Sequence, residues 1–195
     1  MISEEQIKTL QNQIWITRIS RINAEKRLRN KDAFIQAMSI YYSCFTVLLA
    51  ICLFVWPGTA LNIMSLTMTI ALMISILHFN SFNYKERAMD FRKIYTELQK
   101  LEYSLAHNLQ NEGEIKIIEE NYCNLIAEGE NHATFDYLKT IANSKESFKK
   151  DIWTKNLKRQ YLLANLGRLL LKILCIFLPF IIALLIFWGI SNEWL

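Results

Sequence analysis

Residues 33–57, AFIQAMSIYYSCFTVLLAICLFVWP, and residues 58–79, GTALNIMSLTMTIALMISILHF, follow one another without a charged side chain. A helix crosses the hydrocarbon of a bilayer with roughly 17–25 mostly apolar residues, and each stretch is long enough. Pro57-Gly58 stands between them, the pairing that ends one helix and starts the next. So short a turn makes the two spans antiparallel neighbours. A third uncharged stretch, ILCIFLPFIIALLIFWGI at 173–190, repeats the pattern near the end of the chain, and all 22 Lys and Arg lie outside the three. No run of useful length alternates with period two, so the fold class is all-α: a multi-pass membrane protein with a transmembrane hairpin, long polar helices and a third, C-terminal span.

Orientation follows from the basic residues. Lys8, Arg18, Arg21, Lys26, Arg27, Arg29 and Lys31 precede the first span, and the other basic residues fall between Asn80 and Lys172. The turn around Trp56-Pro57-Gly58-Thr59 has no charge, and Ser191-Asn192-Glu193-Trp194-Leu195 has no base. The positive-inside rule then makes the N-terminus and the long middle cytoplasmic and sends the turn and C-terminus outward, with Trp56, Trp188 and Trp194 at the interfaces. Met1-Ile2-Ser3-Glu4-Glu5 lacks the basic and apolar regions of a cleavable signal peptide.

This divides the chain into an amphipathic cytoplasmic helix at 1–34, the hairpin at 35–79, a cytoplasmic helical region at 80–167, the third span at 168–190 and an outward tail at 191–195. Ser3 and Gln6 have the spacing of a capping box. Ile7, Leu10 and Ile14 begin an apolar stripe that drifts through Trp15, Ile19 and Ile22, and Lys26 to Lys31 mark the membrane surface. The second span is expected to run on as a helix to about His107, where Phe91, Ile94, Leu98, Leu101 and Leu105 form an a/d seam with spacing 3, 4, 3, 4. That seam needs a partner, either the N-terminal helix of the same chain or the same helix of another subunit. Two short helices are expected at 114–128 and 131–143, with Gly129 ending the first and His132 a candidate cap for the second. Another begins at Ser147 and leads through Trp153 into the third span, whose faces all look lipid-facing.

Chemistry is sparse. Cys44, Cys52, Cys123 and Cys175 form no metal or disulfide pattern. His78, His107 and His132 are not spaced as ligands on one helix, and no carboxylate lies inside a span. With no phosphate-binding glycine loop or nucleophile motif, neither enzyme activity nor a cofactor is expected. Net charge of +4, with acids and bases interspersed, does not suggest a nucleic-acid surface. The hairpin does carry small polar residues at helical spacing: Ser39, Ser43 and Thr46 in the first span, Asn62, Ser65 and Thr69 in the second. Such faces serve helix packing in lipid or line a weakly polar pore in an oligomer.

Arg21-Ile22-Asn23-Ala24-Glu25-Lys26-Arg27-Leu28 leads into the hairpin. Lys85-Glu86-Arg87-Ala88, Tyr95-Thr96-Glu97-Leu98, Tyr122, Glu130-Asn131-His132 and Asp136-Tyr137-Leu138 follow it. Over about residues 10–190 this arrangement resembles the SLATT family, two-transmembrane effectors associated with bacterial nucleotide-signalling and reverse-transcriptase defence systems. The third span departs from the two in the family's name. The resemblance implies an inner-membrane effector in an anti-phage or conflict system. It would form homo-oligomers and permeabilise the membrane when a nucleotide-signalling enzyme or reverse transcriptase of the same operon signals infection. The 108–150 lobe, with Glu119, Glu120, Glu128, Glu130 and Lys139, is the candidate contact surface. A non-conducting anchor that recruits a cytoplasmic partner is the alternative.

Overall fold

The computed structural model describes residues 3–107, 111–144 and 154–191. Among the described residues six helices follow in order: α1 (Glu4–Val55), α2 (Thr59–Asn80), α3 (Tyr84–His107), α4 (Glu112–Glu128), α5 (Thr134–Ala142) and α6 (Lys155–Ser191). No strand occurs among the described residues. Trp194, the tail beyond Ser191 and the helix start between Ser147 and Trp153 lie outside the described residues. The chain divides into a helical unit of residues 1–30 and 84–164 and a membrane unit of residues 31–83 and 165–195.

The helical unit begins with the Ser3–Gln6 capping box. Gln6 Oε1 accepts from the Ser3 N–H at 2.9 Å, and Ser3 Oγ accepts from the Gln6 N–H at 3.2 Å. Each bond satisfies an amide that the first helical turn leaves free. From there α1 presents Ile7, Leu10 and Ile14 to Leu98 and Leu105 of α3 and to Ile115, Ile118 and Tyr122 of α4, with Ile94, Leu101 and Leu125 packed around them. Ile94, Leu98, Leu101 and Leu105 of the α3 seam therefore lie in a core shared by three helices of one chain, and Phe91 is buried outside that cluster.

The stripe on α1 does not drift as its apolar residues suggested. It keeps the spacing 3, 4, 3, 4 from Ile7 through Leu10, Ile14, Thr17, Arg21, Ala24 and Leu28, with Arg21, Ala24 and Leu28 buried. Trp15, Ile19 and Ile22 sit half-buried beside it. A search for apolar periodicity loses the register here because two of its positions, 17 and 21, are polar.

The expected continuous helix from the second span to His107 is broken. α2 stops at Asn80, the Ser81 hydroxyl donates to the His78 carbonyl at 2.6 Å, and Asn83 takes a positive φ of 47°. Asn tolerates that left-handed conformation better than most residues. The polar cluster Asn80-Ser81-Phe82-Asn83 is thus a break, which a hydrophobic count passes over.

In the membrane unit α1, α2 and α6 are each long and apolar enough to span. Leu49 and Leu61 pack across the hairpin with Phe45, Leu53 and Met64, and Ile182 of α6 joins them. The third span is therefore packed along one face and not lipid-facing all round. Its other faces expose Leu171, Leu174, Phe177, Leu184 and Trp188, as an apolar solvent requires.

Candidate functional site

Within the membrane unit the two polar faces of the hairpin part company. Ser39 and Thr46 line an apolar cavity of about 330 Å³ together with Tyr42, Met68, Ser75 and Cys175. Ser43 is half-buried on the same helix. In α2, Asn62 and Thr69 are exposed and Ser65 is half-buried, and none of the three lines that cavity. The hydroxyls are satisfied locally: Ser39 donates to the Ile35 carbonyl at 2.9 Å, Ser43 to Ser39 at 2.8 Å, Thr46 to Ser43 at 2.8 Å and Thr69 to Ser65 at 2.9 Å. The Asn62 amide makes no side-chain hydrogen bond among the described residues.

Pro179 sets the contact between α1 and α6. A proline inside a helix removes the N–H that the carbonyl four residues earlier would receive, and its ring crowds that turn. Here that carbonyl belongs to Cys175. The Tyr42 hydroxyl donates to it at 2.8 Å, and the Tyr41 hydroxyl donates to the next carbonyl, Ile176, at 3.0 Å. In hydrocarbon, freed carbonyls must find donors on neighbouring helices, and the adjacent tyrosines supply them. The signal was present in the sequence as a proline in one span and a tyrosine pair in another, but nothing in the sequence alone said that they meet. Tyr42→Phe is expected to destabilise the membrane unit by about 0.6–2 kcal/mol. Pro179→Ala restores the helical N–H, so the same tyrosine change should then have little effect. A double-mutant cycle of denaturant unfolding in detergent measures that coupling.

The helical unit carries a second group of polar residues, between α1 and α5. Asp136 is wholly buried in α5, and Arg27 grips it with both Nε and Nη2, at 2.9 Å to Oδ1 and 2.9 Å to Oδ2. Asp136 Oδ2 also accepts the Ala133 N–H at 3.1 Å and so caps its own helix. His132, the expected cap, does not perform this role: it is half-buried with Nδ1 unpaired. Burial, and then the charge of Arg21, hold its imidazole below the ordinary histidine pKa. One turn along α5, Thr140 Oγ1 lies 3.0 Å from Ser20 Oγ and accepts from Asn23 Nδ2 at 3.0 Å. Tyr122 meets Thr17 at 3.0 Å between the hydroxyl oxygens.

Of the charged residues assigned to the contact surface, Glu119, Glu120 and Glu128 are exposed and Lys139 is half-buried. Glu130 is engaged by both Nε and Nη2 of Arg87. The bond from Arg87 holds the Glu130 carboxyl below its usual pKa. With both partners well exposed, the pair contributes at most about 1 kcal/mol, so it orients the α4–α5 loop more than it stabilises the unit.

No curated protein matches the chain. No solved structure matches it either. The model of the family described as SMODS and SLOG-associating 2TM effector domain family 5 matches residues 3–185, a range that takes in the hairpin, the buried polar residues of the helical unit and most of α6. The chain belongs to this SLATT family of membrane effectors.

Proposed function

We propose that this protein is a non-enzymatic effector whose copies assemble in the bacterial inner membrane to form or gate a pore. Its N-terminus and helical unit would lie in the cytoplasm and its C-terminus outside. Membership in a family named for association with SMODS and SLOG proteins supports a role in conflict systems. A nucleotide-signalling enzyme or reverse transcriptase of the same operon would supply the trigger. The observation that carries the pore is Asn62, an amide directed out of the membrane unit on the face that Ser65 and Thr69 continue. An unpaired amide removed from water costs about 1–3 kcal/mol. A ring of copies would relieve that cost by placing Asn62 against its counterparts or against pore water. Gating then requires a partner that binds the conducting arrangement better than the closed one.

The test is membrane potential and propidium entry in bacteria expressing the chain with its neighbouring genes triggered. The parent should depolarise the cells, and the double variant Asn62→Leu, Thr69→Leu should not, at equal membrane levels. Changing Ser39 and Thr46, which face the internal cavity, should have a smaller effect. Depolarisation retained in the double variant would take the pore lining off the Asn62–Thr69 face, and none with the parent would replace the pore with a non-conducting anchor.

A further inference from the structure

Arg21 is the largest fully buried side chain among the described residues, with 1% of its surface exposed. It occupies a core position of the α1 stripe, where Ile14 and Leu10 stand two and three turns earlier. Its Nε and Nη1 are buried and donate to nothing. The other buried or half-buried charges that α1 brings to this unit lie at ion-pair distance from an opposite charge: Arg27 from Asp136, Glu25 from Arg29 at 2.7 Å, and Arg18 from Glu102 at 2.7 Å, though without hydrogen-bond geometry at Arg18 Nε. Arg21 forms no ion pair among the described residues. Burial lowers its pKa, and the neighbouring group that offsets this is Tyr122, not a carboxylate.

An isolated guanidinium taken out of water carries a penalty of several kcal/mol unless an opposite charge or acceptors compensate. The end of α4, at Gly129, contributes the partial negative charge of a helix C-terminus but no hydrogen bond to Nε or Nη1. Gly129 is also what admits the guanidinium there. A Cβ at that position would stand 3.1 Å from Arg21 Nη1 and would collide with the Ile94 side chain. His132, in the loop that follows, brings a third buried nitrogen without a partner.

We infer that Arg21, beneath the Gly129–Ala133 loop, is a binding site for a small oxyanion, a phosphate or a carboxylate group. The guanidinium supplies Nε–H and Nη1–H, and His132 adjoins it. A planar fork of donors matches the paired oxygens of either anion. Because Arg21 is covered, the ligand enters when the loop lifts from α1, so occupancy couples to the packing of α1 against α4 and α5. The site is independent of the pore reading and concerns the helical unit alone.

The experiment is thermal unfolding of the full chain in detergent at fixed pH and ionic strength. Chloride is exchanged for inorganic phosphate in one arm and for acetate in another. A ligand at a hundredfold excess over Kd should raise the unfolding temperature by about 5 °C or more. Arg21→Met, which keeps the volume and removes the charge, should abolish the rise. Gly129→Ala, which keeps the charge and fills the approach, should weaken it, and serves if the first variant does not fold. A rise with phosphate alone, dependent on Arg21, assigns the site to phosphate groups. An Arg21-dependent rise with acetate assigns it to carboxylates. No rise with either anion, or an equal rise in both variants, overturns the site.

Discussion

Asp136→Ala is expected to destabilise the helical unit by about 3–5 kcal/mol, the usual consequence of removing one partner of a buried ion pair. Asp136 is 0% exposed, and its carboxylate accepts three contacts from Arg27 and one from the Ala133 amide. The alanine variant leaves Arg27 held against α5 without a counter-charge. It also uncaps a helix of only nine residues, too short to persist without tertiary support. Asp136→Asn should cost less, because the amide oxygen can still cap Ala133 and accept one bond from Arg27. Native domains have about 5–15 kcal/mol of stability in all, so the alanine change removes a large share of it. Denaturant unfolding of the detergent-solubilised chain, with hydrogen exchange on α5, measures the loss. An effect below about 1 kcal/mol would mean that the pair does not hold α5 on α1.

Leu98→Ala is expected to cost about 2–5 kcal/mol, the transfer term plus that of the cavity left behind. Leu98 is fully buried in the cluster that joins Leu10 and Ile14 of α1, Leu105 of α3 and Ile115, Ile118 and Tyr122 of α4. Because three helices meet at this side chain, exchange protection should fall in α1, α3 and α4 together. The assembly state in detergent should not change. If Leu98→Ala instead changed the mass of the assembly and left protection within the unit intact, the seam would belong to contacts between subunits.

Arg21 and Asp136 show why the buried polar residues were hard to read from sequence. A basic residue among Arg18, Arg27 and Arg29 reads as part of a solvated, orienting cluster, since charges seldom enter cores unpaired. Asp136 stood in the sequence only within the stretch Asp136-Tyr137-Leu138, and the cap was sought at His132, whereas it is Asp136 that accepts the Ala133 N–H. Its pairing with Arg27, 109 residues earlier, leaves no local trace. The seam of α3 was visible because spacing is a property of one helix, whereas its partners, from α1 and α4, are a property of the packed chain.

The sequence by itself determined that the chain is all-α, that three segments belong in hydrocarbon and that the chain turns back at Pro57-Gly58. These follow from local composition, because an uncharged apolar run has a low free energy only where water is absent and its backbone bonds are closed within a helix. Tertiary structure alone decided that the Tyr42 hydroxyl donates to the Cys175 carbonyl freed by Pro179, with Tyr41 donating to the neighbouring Ile176 carbonyl, and that Ser39 and Thr46 face inward while Asn62 and Thr69 face out. It also decided that Arg21 lies buried without a partner. Each of these depends on which donor or acceptor arrives from a distant part of the chain, and hydrogen bonding and charge compensation are set by distances across space that residue spacing does not encode.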